Sequence, residues 1–345
     1  MLISRDEYKL TFGHYYIVDC AIRDRNVFAF ALDRWMTDAE VEEEEEKGWD
    51  IDLRPKRLVT FFRQRPAEDR CGVTAFDQWG TLKLGAMTLP KSQFMLYERE
   101  QGRVYVIGSG EDTFEDPLSN RTNPNSPMHA GVRRIKQFKG KTFLAGGYRG
   151  FAERLGPNSY HSHKALIDSY PEDHPDSGRE GFDDFDMFAE DDIYAAGGKG
   201  DVWHFNGKTW RQIPLPTNAW LQTVCCGGDG NVYISGYEGL TFMGRGDSWK
   251  EINSGGVYLG WRDMVWFEDR AWATSENGLW TIQDGRVEYV ADLPSEVRVC
   301  AGNLYVADGV MLLAGMGGAC FRENGQWHSI FTKGEMERLL LDEGK

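Results

Sequence analysis

The sequence predicts an all-β fold made of repeated four-stranded units. Three observations support this prediction: the composition, a repeat of about 40 residues, and a fixed order of strand and turn signals within each repeat. The 345 residues include 40 glycines and 12 tryptophans, and glycine-rich, aromatic-rich chains favour many short strands joined by turns.

The repeat is clearest in two segments of the second half of the chain. DIYAAGGKGDVWHFNGKTW, which begins at Asp192, has the same skeleton as NVYISGYEGLTFMGRGDSW, which begins at Asn231. The tyrosine, a loop glycine and the final tryptophan each return after 39 residues. Related segments begin at Lys141, Arg270 and Val310. Five units therefore tile residues 128–331, with one polar insertion at residues 159–181.

Each unit is predicted to contain four strands, named a to d in chain order, with a hairpin turn such as FNGK between strands c and d. One small sheet cannot bury both of its faces, so the units must stack on each other. Units of this size and strand count indicate a single β-propeller over residues 1–345. Residues 1–127 are expected to supply two irregular blades with an acidic insertion at residues 38–54. Seven blades result, with six or eight as alternatives, and residues 332–345 are expected to form a short helix or tail.

Charge and cysteine content restrict where the protein acts and what it meets. No apolar run is long enough to span a membrane, and the first residues lack the pattern of a signal peptide. The six cysteines contain no CxxC pair, so we expect a cytoplasmic protein with free thiols. The net charge of −15 disfavours nucleic acid and membranes as partners and favours a basic protein, although solubility alone would also explain it.

Two segments carry a family resemblance. FNGKTWRQI, from Phe205, and RGDSWKEI, from Arg245, resemble the turn-and-tryptophan ends of BNR or Asp-box propeller repeats, although neither has the complete pattern. In size, acidity and irregular blades, the chain also resembles the solitary cytoplasmic propellers encoded beside interbacterial toxins, including those of type VI secretion. That resemblance implies an immunity protein that binds and neutralises a basic toxin domain, with a nuclease as one candidate. It also implies a monomer that forms a heterodimer with its partner.

Catalytic signatures are missing from the sequence: it contains no GxSxG, HExxH or complete P-loop motif. We therefore expect no enzyme activity and no cofactor. A propeller hydrolase or lyase acting on glycans, and a general assembly scaffold, are the alternative functions.

Two polar segments are candidate sites of other kinds. His161 and His163 form a His-x-His pair that could ligate zinc with His174 and nearby carboxylates, namely Asp168, Glu172, Asp173 and Asp176. We interpret this polar insertion as a contact loop without metal. The acidic run Glu42–Glu46 is interpreted as a solvated loop, or as a decoy surface for a basic partner.

The partner is expected to bind at the b–c loops and at the starts of the a strands. In a propeller these open on one face around the central channel, and here they vary between repeats while the glycine frame is kept. Tyr, Trp and Arg dominate binding energy at interfaces. The expected contact residues are Tyr148, Arg149, Asp183, Asp184, Lys199, Trp220, Tyr237, Glu238, Trp261, Arg262 and Glu276.

Overall fold

A computed structural model describes residues 1–341 with the exception of 49, 120–122, 124, 164, 165, 168, 171, 172, 176 and 253–257. It contains seven four-stranded antiparallel sheets, each formed by consecutive strands. The predicted all-β propeller of seven blades is confirmed.

The strands are short and follow one another within each blade. Blades 1 and 2 consist of β1 (Tyr15–Asp24), β2 (Val27–Arg34), β3 (Lys56–Phe62), β4 (Cys71–Phe76), β5 (Leu82–Met87), β6 (Gln93–Glu98), β7 (Val104–Gly108) and β8 (Thr113–Glu115). Blades 3 to 5 consist of β9 (Val132–Phe138), β10 (Lys141–Gly146), β11 (Gly150–Gly156), β12 (Ser159–Ser162), β13 (Asp184–Ala189), β14 (Asp192–Gly197), β15 (Asp201–Phe205), β16 (Trp210–Gln212), β17 (Leu221–Cys226), β18 (Val232–Gly236), β19 (Thr241–Arg245) and β20 (Ser248–Glu251). Blades 6 and 7 consist of β21 (Asp263–Phe267), β22 (Arg270–Ser275), β23 (Gly278–Gln283), β24 (Arg286–Tyr289), β25 (Asn303–Ala307), β26 (Val310–Gly315), β27 (Gly318–Glu323) and β28 (Gln326–Thr332).

The first strand of every blade lines the central channel. These inner strands contact their neighbours in the order β1, β5, β9, β13, β17, β21 and β25, and β25 contacts β1 again. The ring is therefore closed, and the faces of each sheet are buried between blades.

Short helices support the closure between the first and last blades. Helix α1 (Arg5–Thr11) contacts the C-terminal helix α4 (Lys333–Leu341), which confirms the predicted terminal helix. The Leu2 N–H donates to the carbonyl of Ile330 at 2.9 Å, and the ring centroids of Phe12 and Phe331 lie 4.3 Å apart. In the described part of the chain no strand is shared between the two blades, and apolar packing, this backbone hydrogen bond and the ion pair of Arg63 with Glu323 at 2.8 Å join them.

Aspartates on the inner strands link successive blades. The backbone N–H of Leu84 in blade 2 donates to Asp19 of blade 1 at 2.9 Å, and that of Val224 in blade 5 donates to Asp184 of blade 4 at 2.8 Å. The N–H of Leu304 in blade 7 donates in the same way to Asp263 of blade 6 at 3.0 Å. Adjacent inner strands do not pair, so their N–H groups need another acceptor, and these carboxylates supply it.

The acidic run predicted as a loop is a helix. Helix α2 (Asp38–Glu46) starts at a capping box between Thr37 and Glu40, and Lys47 pairs with Glu43 at 2.8 Å. Glutamate has a good helix propensity, and the cap satisfies the first N–H groups, so solvation of the charges did not prevent helix formation. A 3₁₀ turn (Ile51–Leu53) precedes β3.

Three further assignments differ from the sequence prediction. The sequence of SQFMLYEREQGRVYVIGSG, which begins at Ser92, predicts strands a and b of a blade, whereas the structure forms β6 and β7 there, which are strands b and c of blade 2. The polar insertion begins with β12, the outer strand of blade 3. A one-turn helix, α3 (Ser295–Arg298), precedes blade 7. None of the helices in the described part of the chain is long and apolar enough to span a membrane.

Candidate functional site

The upper face of the ring is defined here as the face formed by the b–c loops and by the segments leading into the a strands. Ten of the eleven predicted contact residues lie in these segments, and Asp184 is the first residue of the inner strand β13. Glycine fixes the shape of the loops: Gly200 has a φ of +70°, and a Cβ there would lie 2.4 Å from the Thr217 carbonyl oxygen. The recurring glycine frame thus has a steric cause.

Three of the eleven residues are buried in this structure, so their side chains are closed to a partner here and their contact role stays a prediction. Trp261 is completely buried between blades 5 and 6, and its indole N–H donates to Thr241 Oγ1 at 3.0 Å. Asp184 is buried inside the channel. Arg149 is buried and pairs with Asp201 at 2.8 Å. The spacing placed these residues correctly along the chain but did not show that they point inward.

The other eight residues remain accessible. Five of them are exposed, namely Lys199, Tyr237, Glu238, Arg262 and Glu276, and three are half-buried, namely Tyr148, Asp183 and Trp220. Further apolar side chains are exposed in the same loops: Tyr258 before β21, Leu259 beside it, and Met316 between β26 and β27. The upper face therefore combines aromatic and aliphatic side chains with charged ones, as protein-binding surfaces do.

A cavity of about 500 Å³ opens at the centre of this face. We call it the mouth, and most of its charged side chains are basic. It is lined by Val18, Lys83, Arg99, Val132, Arg133, Arg134, Asp183, Trp220, Gln222, Tyr237, Arg262 and Asn303. Five of these residues are cationic and one is anionic. The acidic chain therefore presents a basic mouth, opposite to what the whole-chain charge leads one to expect.

Asp183 connects the cations of the mouth to its aromatic rim, which consists of Trp220 and Tyr237. Its carboxylate pairs with Arg133 at 3.3 Å and accepts the indole N–H of Trp220 at 2.7 Å. Burial raises the pKa of Asp183, while Arg133 acts in the opposite direction. The one carboxylate of the mouth is thus already engaged by neighbouring side chains.

A second layer of charges, which shares Arg134 with the mouth, lies beneath it, and we call it the inner ring. Arg134 reaches Asp184 at 2.8 Å and Asp263 at 2.6 Å, and Lys136 reaches Asp184 at 2.9 Å. Burial pushes the pKa of Asp184 upward, but Arg134 and Lys136 outweigh it and leave that pKa below its ordinary value. The inner ring is a compensated network, since its carboxylates also accept the backbone N–H groups described above.

Sequence reasoning missed four cations of the mouth: Lys83, Arg99, Arg133 and Arg134. Lys83 and Arg99 belong to blade 2, whose second and third strands the sequence analysis took for its first and second. The signal for the other two was present, because VRRIKQF places Arg134 and Lys136 on the same side of an inner strand.

The polar insertion has a structural histidine. His163 is buried, accepts the indole N–H of Trp210 at 3.2 Å, and packs on Phe151 with ring centroids 5.2 Å apart. Burial lowers its pKa to about 4, with a smaller contribution from His161. No group of three or more potential metal ligands occurs among the described residues. The carboxylates Asp168, Glu172 and Asp176 lie outside them.

Solved structures support the fold. The chain is similar to YCF48 bound to D1 peptide, with a TM-score of 0.58 and 12% identity over 90% of this chain and 92% of that one. It is also similar to virginiamycin B lyase from Staphylococcus aureus, with a TM-score of 0.53 and 13% identity over 74% and 91% of the two chains. At these identities the likeness shows a propeller fold and carries no function.

One curated relative gives information at the level of sequence. Immune protein Tsi7 of Pseudomonas aeruginosa is 29% identical over 219 residues, which span 63% of this chain and 69% of the relative. No family model matches the chain. The predicted resemblance to immunity proteins is thus confirmed by a match that extends over most of the propeller.

Proposed function

We propose that this protein is a non-catalytic immunity protein that binds and neutralises a protein toxin through its upper face. The observation that carries the proposal is the similarity to Immune protein Tsi7 over 219 residues, combined with the seven-bladed fold. The loops of the upper face differ from blade to blade on a constant glycine frame, which suits recognition of one particular partner.

The partner would be a toxin domain that is basic overall, such as a nuclease. The net charge of −15 speeds the encounter with such a domain at long range. Exposed side chains such as Tyr237, Tyr258 and Met316 would then supply the short-range apolar contacts. We place the protein in the cytoplasm, as a monomer that forms a heterodimer when its toxin is present.

Co-expression with the product of the neighbouring gene tests the proposal. We expect that gene product to arrest growth when expressed alone, and this protein to restore growth and co-purify with it. A Tyr237→Ala and Met316→Ala double variant should fold normally and protect less well, because both side chains are exposed. Growth arrest that persists despite a folded, abundant parent protein would contradict the proposal. A glycan substrate turned over by the purified chain would favour the enzymatic alternative.

A further inference from the structure

The mouth holds more positive charge than its own carboxylates neutralise. Among the described residues, neither Lys83 nor Arg99 has a carboxylate oxygen within the 4.0 Å of an ion pair. Arg262 donates to the neutral Asn303 Oδ1 at 3.5 Å, and the carboxylate it reaches among the described residues is Glu276, at 3.7 Å, whose side chain is 77% exposed. A pair so open to solvent contributes little. Three of the five cations therefore have no firm partner.

The inner ring offsets only part of this excess from below. Its carboxylates Asp184 and Asp263 are already held by Arg134 and by backbone N–H groups. Burial is the main cause that lowers the pKa of Lys83; Asp19 and Asp263 act against it, and the nearby Arg134 and Arg262 lower that pKa further. The cations of the mouth thus repel one another in a partly enclosed space, where screening by water is weaker than at an open surface.

The clustering of cations in the mouth is not explained by a need for solubility. Surplus charge that only keeps a protein soluble is spread over its surface and in this chain is negative, whereas the mouth gathers cations from blades 2, 3 and 6 into one cavity. Arginine side chains offer planar donor pairs that match carboxylates. The aromatic rim, with Trp220 half-buried and Tyr237 53% exposed, adds contact area of the kind found at protein interfaces.

We propose that the mouth receives the carboxylate side chains of an acidic segment of the protein partner. This inference rests on the proposed function and specifies how the partner is held. A nucleic acid is disfavoured as the occupant, because a long polyanion would meet the field of a chain with net charge −15, whereas a short acidic segment on a basic protein would not.

Calorimetric titration with a six-residue peptide of Asp and Glu tests the mouth directly, with the Asn and Gln counterpart as control peptide. The parent protein should bind the acidic peptide saturably and the amide peptide not at all. An Arg99→Ala and Arg262→Ala double variant should bind at least about tenfold more weakly, because charge-assisted hydrogen bonds are lost. Both side chains are exposed, so folding should be preserved, as thermal melting would verify.

A matched control removes the same charge elsewhere. Arg211→Ala with Arg286→Ala changes two exposed arginines on the outer strands β16 and β24 and should leave peptide binding at the parent level. Absence of saturable binding to the parent at millimolar peptide would overturn the proposal, as would equal binding by the mouth variant. Binding of a DNA duplex that depends on Arg99 and Arg262 would also overturn it, because the occupant would then be a phosphate backbone.

Binding of the neighbouring gene product to the parent and to the mouth variant distinguishes a failure of this inference from a failure of the proposed function. If the neighbouring gene product binds the parent and the mouth variant equally well, the immunity role stands and the acidic contact is wrong. If it binds neither protein while the peptide binds only the parent, the immunity role fails and the anion-binding mouth stands.

Discussion

The mouth and the inner ring are built from neighbouring residues, yet their charges have different surroundings. Arg133, Asp183 and Arg262 lie at the mouth, and the next residue of each, namely Arg134, Asp184 or Asp263, belongs to the inner ring. The ring charges satisfy one another and the backbone of the next blade. The mouth charges do so only in part. The comparison teaches that two consecutive residues can have different roles. In blades 3, 4 and 6 the second residue stabilises the fold, while the first is available for the proposed recognition of a partner.

Adjacent arginines give the largest expected contrast. Replacing Arg134 by Met should lower the free energy of unfolding by about 3–5 kcal/mol, because Asp184 and Asp263 would remain buried without their main cation. Replacing Arg133 by Met should cost less, about 1–2 kcal/mol, because Asp183, its ion-pair partner among the described residues, lies at 3.3 Å, keeps 23% of its side chain exposed and still accepts the indole N–H of Trp220. Urea unfolding of both variants measures the difference. Equal losses would show that mouth and ring are one network.

Trp261 and Tyr237 extend the contrast to aromatic side chains. Trp261→Ala should destabilise the fold by about 3–5 kcal/mol because it opens a cavity between two blades. Tyr237→Ala should change stability by no more than about 0.5 kcal/mol and should raise the dissociation rate of the partner. Thermal melts and surface-based binding kinetics measure the two quantities. A stable Trp261→Ala protein with impaired binding would support Trp261 as a contact residue.

The buried His163 makes the stability of the fold depend on pH. Its folded-state pKa of about 4 lies below the ordinary value of 6.5, so the unfolded chain takes up its proton first. The stability from this group is full above about pH 6.5 and is lost as the pH falls toward 4, by about 2–3 kcal/mol at most. His163→Phe should flatten this part of the unfolding curve measured against pH. A His161→Phe control should keep most of it, because burial of His163 is the larger cause of the lowered pKa and His161 the smaller one.

Asp183→Asn should have a small effect on stability and a few-fold effect on binding. It removes the one anion of the mouth and keeps a hydrogen-bond acceptor for Trp220, so stability should change by about 1 kcal/mol or less. The acidic peptide should bind the variant more tightly, by a few-fold, because the positive charge is less neutralised. Weaker peptide binding would mean that Asp183 shapes the mouth more than it offsets its charge.

The sequence allowed the ring to be predicted from its repeat, because each blade needs the same glycine loops and the same buried strands. The loops that carry Tyr237, Lys199 and Glu276 were therefore placed correctly. Burial of Trp261, Asp184 and Arg149 could not be read from spacing, since the direction of a side chain at a strand start depends on register. The basic mouth was missed for a related reason. Lys83 and Arg99 line the same cavity as Arg133 and Arg262 only once the ring is closed. Blade 2, which supplies the first two, also lacks the regular repeat.

Helix α2 shows a further limit. Composition indicated a solvated acidic segment, and solvated it is, with no buried residue. Its regular structure depends on the reciprocal bonds between Thr37 and Glu40, a local signal that the long run of glutamates obscured. That this acidic helix acts as a decoy surface for a basic partner stays a prediction.

Hydrogen–deuterium exchange with and without the neighbouring gene product tests the central claim most directly, because it reports which face of the ring the partner covers. We expect slower exchange at the b–c loops around residues 147–149, 198–200, 237–239 and 276–277, and unchanged exchange at the a–b and c–d turns on the opposite face. Protection confined to those opposite turns, such as Glu190 to Asp191 or Asp308 to Gly309, would contradict the assignment of the upper face and its mouth as the binding site.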